Sequence, residues 1–187
     1  MMPEEVLAIV AQKLEDGGIA YMITGSYASN VHGTPRTTHD ADIVIEIDNA
    51  GIAQLAKAFG DDFYFDMEAA EDAVKKEFMC NALHYDTGFK IDFIIRKNRA
   101  FSRSEFQRRM IVEYAGRKYW FSGPEDTILA KLEWSKKGDS ERQFLDAVNV
   151  AKVQAKSLDF EYLRHWAADL QIEEQLNKLL QEIEPLE

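Results

Sequence analysis

The chain is poor in cysteine, with one residue, Cys80, in 187. A single thiol makes neither an internal disulfide nor a multi-cysteine zinc site, so the composition fits a reducing compartment, and the cytoplasm is the expected location. Basic residues are outnumbered, 22 Lys and Arg against 33 Asp and Glu, which leaves a formal net charge of −11. Such a chain has no overall electrostatic grip on nucleic acid, and any phosphate it holds is held locally. Long apolar runs are missing too. No uninterrupted span reaches the roughly 18 residues of a membrane helix, and the opening Met1-Met2-Pro3-Glu4-Glu5 is acidic rather than basic. Neither export nor membrane insertion is expected. What is present is core material: 46% hydrophobic and 11% aromatic residues exclude a disordered or collagen-like chain. At roughly 150 residues per domain, the length allows one domain or a compact core with an appendage.

Periodicity divides the chain into a mixed front and a helical tail. Val6, Leu7, Ile9, Val10 and Leu14 recur at helical spacing between Pro3 and Gly17. Residues 19–24 read as a short buried strand, broken by Gly25-Ser26 before a brief helix through Val31. A polar loop, 33–39, leads into the β-branched run Asp40 to Ile47. Helices are expected over 49–59 and 68–79, with the state of 61–65 left open. Hairpins are expected around Gly88 and Gly116, the second peripheral. From Pro124 onward four helical stretches follow, over 124–136, 140–155, 160–170 and 173–183. No repeat or Gly/Ser linker sets the tail apart, so a core of 1–122 with a helical region of 123–187 packed on it is expected.

The chemistry concentrates in a few residues. Alternation puts Asp40 and Asp42 on one strand face, where they repel each other unless a cation intervenes, and oxygen-only ligands suit Mg²⁺ or Mn²⁺. Asp92, in Lys90-Ile91-Asp92-Phe93-Ile94-Ile95, is a third acid among apolar neighbours. If its strand lies beside the Asp40 strand, three carboxylates converge. Taken singly, each has a plainer reading: Asp40 as a turn residue, Asp42 as a solvated strand position, Asp92 as the ion-pair partner of Lys90.

Together the pattern resembles the nucleotidyltransferase fold of the DNA polymerase beta superfamily, through Gly25, Ser26, Asp40, Asp42 and Asp92. More narrowly, Thr24-Gly25-Ser26 with Gly33-x-Pro35-Arg36-x-Thr38-x-Asp40-x-Asp42 is similar to small bacterial and archaeal nucleotidyltransferase-like proteins, including those of toxin–antitoxin and abortive-infection systems. Pro124-Glu125-Asp126 with Lys131-Leu132, then Arg142 and Asp146, extend the likeness. The resemblance implies an α/β (α+β) fold, a mixed sheet flanked by helices with a C-terminal helical appendage. It implies transfer of a nucleoside monophosphate from an NTP to a hydroxyl acceptor, with release of pyrophosphate. Asp40, Asp42 and Asp92 would hold Mg²⁺ or Mn²⁺, Asp92 also orienting or deprotonating the acceptor. Gly25 and Ser26 would face the triphosphate, with Arg36 and Lys131 as further nucleotide contacts.

The same residues leave other readings open. Lys131 and Arg142 also fit surface charges on amphipathic helices, and Asp146 fits a helical partner of Arg142 four residues before it. His32 and His39 lack the spacing of a zinc site and suit local polar roles, and Cys80 suits a buried inert thiol. The basic stretch from Arg96 to Arg109 reads as a solvated helix face or as a patch for an anionic acceptor such as an RNA end. The acceptor is a small molecule, a protein or RNA. The alternative function is a catalytically weak binding protein of this fold, such as a toxin–antitoxin component, whose acidic surface engages a partner encoded nearby.

Overall fold

The computed structural model describes residues 1–183, so the last four residues of the expected 123–187 region lie outside it. In chain order the elements are α1 (Pro3–Asp16), β1 (Ala20–Thr24), α2 (Gly25–His32), β2 (Asp40–Glu46), α3 (Asn49–Phe59), a 3-10 turn (Gly60–Asp62), β3 (Phe63–Phe65), α4 (Met67–Lys76), β4 (Met79–His84), β5 (Lys90–Ile95), α5 (Ala100–Gln107), β6 (Met110–Tyr114), β7 (Arg117–Phe121), α6 (Pro124–Gly138), α7 (Glu141–Gln154), α8 (Phe160–Asp169) and α9 (Glu173–Ile183). They form two compact units. One comprises 1–24 with 38–121, the other 25–37 with 122–183. The helical unit therefore takes in α2 and the loop after it as well as the tail.

The first unit is built on a seven-stranded mixed sheet, ordered β3-β4-β5-β2-β1-β7-β6. β2 is central: it pairs antiparallel with β1 and parallel with β5, as its run of Ile43, Val44 and Ile45 suits a strand buried on both faces. One sheet face carries Ile23, Ala41, Ile43, Ile91 and Phe93, all fully buried. α3, flanked by α1 and α4, covers it, and Phe59 packs against Phe93 and Phe63 at ring separations of 5.9 and 4.7 Å. The opposite face is apolar at one end, where Met22 and Val44 pack with Phe106 of α5 and with Ile94.

Most bounds lie within two residues of the periodicity reading, and two segments need comment. α4 stops at Lys76 because Glu77 turns into a left-handed conformation (φ 47°), and the expected last turn of that helix becomes the start of β4, where Cys80, Ala82 and His84 alternate inward. The open segment 61–65 resolves into the 3-10 turn and β3, whose three residues are too few to show alternation.

In the helical unit, α6 and α7 pack along each other, and α2, α8 and α9 pack against them. The tight point is Gly33, just after α2. A Cβ there would stand 2.9 Å from the Ser29 carbonyl oxygen and 3.0 Å from the Val150 backbone nitrogen, and backbone cannot swing away as a side-chain tip can. Gly33→Ala is expected to destabilise the protein by about 1–3 kcal/mol, seen as a fall in the thermal unfolding midpoint of roughly 2–4 °C per kcal/mol for a chain of this size. An unchanged midpoint would show that α2 and α7 part easily.

Candidate active site

Strand pairing sets the geometry of the acids. Asp42 is the register partner of Asp92, and Asp40 that of Lys90, across the parallel β2–β5 ladder. Laterally paired residues point to the same side, so Asp40, Asp42 and Asp92 share one sheet face with Lys90. The four Cα positions form a rectangle about 4.8 Å wide between strands and about 6.6 Å long. The row through Asp42 and Asp92 continues to Thr24 on one side and Asn81 on the other. This polar end adjoins the apolar patch under Phe106, so each strand changes character midway along the same face.

Asp92 is buried, its side chain 10% exposed, and its Oδ2 accepts from Lys90 Nζ at 2.7 Å. The ion-pair reading of Asp92 thus holds as a contact, alongside the convergence of strands. Thr38 Oγ1 donates to Asp40 Oδ1 at 3.0 Å and fixes that carboxylate at the head of β2. Cys80 sits across the sheet from this face. Burial, then the nearby Asp92 charge, pushes its thiol up to about 11, so it stays protonated and unreactive at neutral pH.

The donor set fits a hard divalent cation in its chemistry, because two carboxylates in register and a third on the same face offer oxygen ligands only. The side chains are not drawn together around one point. Among the described residues, no three His, Cys, Asp or Glu groups are arranged to hold a metal, and Lys90 is on Asp92.

The other candidates lie in the helical unit. Gly25 has φ +61°, a left-handed conformation that glycine adopts without strain, and it starts α2 with Ser26 buried in the first turn. Arg36 Nη2 donates to Ser26 Oγ at 2.9 Å. The same guanidinium makes a two-pronged contact with Asp146, Nε to Oδ1 at 2.9 Å and Nη2 to Oδ2 at 2.7 Å. Lys131 Nζ, with a side chain only 5% exposed, donates to Asp146 Oδ2 at 3.1 Å. Asp146 therefore takes Arg36 and Lys131 rather than its helical neighbour Arg142, which is exposed. Burial alone would raise the Asp146 carboxyl; the hydrogen bond from Arg36 and the charge of Lys131 outweigh it and hold it below the usual carboxylate range.

Two further residues support the site, Asn30, which carried no sequence signal, and His32, whose expected local polar role is observed. Asn30 clamps the loop by donating Nδ2 to the Arg36 carbonyl at 2.7 Å and accepting from the Arg36 backbone N–H at 3.0 Å. His32 donates Nε2–H to the Ser122 carbonyl at 2.7 Å, and burial lowers its pKa, so it is a neutral structural group. Thr38 stands in the Arg36-x-Thr38-x-Asp40 pattern of the sequence, whereas nothing in the sequence marks Asn30.

No family model matches the chain, and no curated protein does. Solved structures do. An antigenic nucleotidyltransferase-like protein from Paracoccidioides brasiliensis superposes with a TM-score of 0.66 at 19% identity, covering 96% of this chain and 88% of that one. The antibiotic-resistance factor ANT(2″)-Ia gives 0.59 at 11% identity, over 93% and 94% of the two chains. The lincosamide antibiotic adenylyltransferase LnuA, solved with lincomycin bound, gives 0.56 at 14% identity, over 80% and 97%. The chain has the nucleotidyltransferase fold.

The depressed Asp146 carboxyl ties stability to pH. A carboxyl whose folded pKa lies below its unfolded value of roughly 3.9 adds stability above that value, and the contribution is lost as pH falls through the folded pKa. Asp146→Asn is expected to cost about 3 kcal/mol at pH 7, because two cations lose their shared partner in a buried setting. Urea titrations at pH 7 and in steps below pH 4 check this. The gap between wild type and variant should narrow toward the acid end, and a gap independent of pH would contradict it.

Proposed function

We propose that the protein is a metal-dependent nucleotidyltransferase that moves a nucleoside monophosphate from an NTP to a hydroxyl acceptor and releases pyrophosphate. The observation that carries this is the in-register pairing of Asp42 with Asp92, with Asp40 on the same face, in a chain of nucleotidyltransferase fold. Two carboxylates side by side on adjacent strands are unfavourable without a counter-charge, and three acids against the one ammonium of Lys90 leave the face with negative charge that supports the binding of a divalent cation.

Asp40, Asp42 and Asp92 are the residues that would hold Mg²⁺ or Mn²⁺, and the ion, when bound, supplies neutralisation of charge developing on the phosphoryl oxygens. Asp92 is assigned the acceptor hydroxyl: it orients the oxygen and takes its proton as that oxygen bonds to the α-phosphorus and the bond from the α-phosphorus to the bridging oxygen of pyrophosphate breaks. In the helical unit Gly25 and Ser26 offer backbone N–H groups and a hydroxyl at the start of α2 to a triphosphate. Arg36 and Lys131 are proposed as cationic phosphate contacts, with Asp146 setting their positions in the free protein.

Two of the similar folds are antibiotic-directed, one an adenylyltransferase, which makes ATP the first donor to test and a hydroxylated small molecule the first acceptor class, ahead of protein or RNA. The acidic balance of −11 supports a second role, binding of a basic protein partner as in toxin–antitoxin pairs.

Incubation with α-labelled ATP, Mg²⁺ or Mn²⁺ and a cell extract is expected to transfer label to an acceptor fraction. Asp42→Asn should reduce transfer at least about 100-fold, in line with loss of a group acting on transition-state charge. Nucleotide binding without transfer, retained in Asp42→Asn, would favour the partner-binding role; no nucleotide binding at all would sink the transferase reading.

A further inference from the structure

The rectangle formed by Asp40, Asp42, Asp92 and Lys90 has three acidic corners and one basic one. Lys90 is lateral to Asp40, two residues along the strand from Asp92, and diagonal to Asp42. Its ammonium does not extend away from the sheet but turns onto Asp92 Oδ2 at 2.7 Å, although its side chain is 45% exposed and has solvent available. Resting on the metal-binding reading above, we infer that Lys90 is a built-in counter-ion of the acid trio, which a divalent cation has to displace from Asp92 in order to bind.

The charge arithmetic gives the inference its content. Three carboxylates and one ammonium leave the quartet at −2, which one divalent ion balances; without the ammonium the three carboxylates stand at −3. The ammonium thus does two opposed things. It relieves repulsion between Asp42 and Asp92 while no ion is bound, and it competes for a carboxylate oxygen that the ion needs. Asp92 is the better buried partner and Lys90 the more exposed one, so the lysine is the member free to swing into water.

Mn²⁺ binding to the full-length protein, followed by electron paramagnetic resonance of free Mn²⁺, tests this with no nucleotide or acceptor present, and thermal unfolding with and without the ion supplies a second readout. Lys90→Met is expected to bind Mn²⁺ about 3- to 10-fold more tightly than wild type. It should also melt lower without metal and gain more from its addition. Lys90→Arg keeps the charge and should restore the wild-type values, separating charge from packing. Equal or weaker Mn²⁺ binding by Lys90→Met overturns the inference. If Mn²⁺ binding is lost in Asp42→Asn while the Lys90 variants match wild type, only the counter-ion role fails; if Mn²⁺ binds neither wild type nor Lys90→Met, the metal reading of the acids fails with it.

Discussion

Because β2 and β5 run parallel with Asp42 opposite Asp92, two carboxylates stand about 4.8 Å apart at the backbone on one sheet face, a placement that like-charge repulsion opposes. The fold sustains it through the rest of both strands. Ile43 and Phe93 are buried against α3 on the reverse face, and Val44 and Ile94 lie under Phe106 on the acid face. Each of these apolar positions fixes register, since a slip of one residue would send every side chain to the wrong side. The acids are thus carried to their positions by burial elsewhere on the same strands. A polar arrangement costly in itself is held by hydrophobic packing that has no part in its chemistry.

A parallel economy governs the helical unit. Asp146 is one carboxylate on α7, yet it collects a guanidinium from the loop after α2 and an ammonium from α6, and through Arg36 it reaches Ser26 at the start of α2. Three separate stretches of chain are joined by one acidic side chain. The Arg36 contact is two-pronged, and a lysine in its place could not match both carboxylate oxygens at once. Asn30 sets the backbone of Arg36 as Asp146 sets its side chain, so this residue is fixed from both ends.

What the sequence made legible follows from the range over which each signal acts. β-branched runs, the Gly-Ser break after Thr24 and the turns at Gly88 and Gly116 are local, and the strands and helices expected from them are present within a few residues. The left-handed caps at Glu77 and Asp139 are local in structure but carry no glycine to announce them, which is why the end of α4 was placed too late. The acid trio was legible because alternation fixes a strand face, while the pairing that joins Asp92 to it had to be supposed. Contacts at long separation were not legible. Arg36 and Asp146 lie 110 residues apart, and no periodicity within α7 distinguishes a carboxylate that pairs with Arg142 from one that pairs with a distant loop. Grouping of α2 with the tail helices escaped for the same reason.

The basic stretch around α5 makes several contacts within its own unit. Arg96 pairs with Glu46 at 2.7 Å, joining the ends of β5 and β2. Arg99 donates to Ser102, and Arg103 to the Asn98 side chain at 2.8 Å, both bracing the first turns of α5. Arg109 lies over the Phe106 and Trp120 rings at 4.4 and 5.0 Å and donates to the Phe106 carbonyl, which ties the end of the helix to β7. These guanidiniums are engaged with the unit's own groups, and those of Arg99, Arg103 and Arg109 brace the two ends of α5. α5 in turn carries Phe106, which closes the apolar end of the face whose other end bears the acids. The arginines of this segment therefore bear on the acid face through packing: they brace the helix whose Phe106 covers Val44 and Ile94, next along the strands from Asp42 and Asp92 on that face.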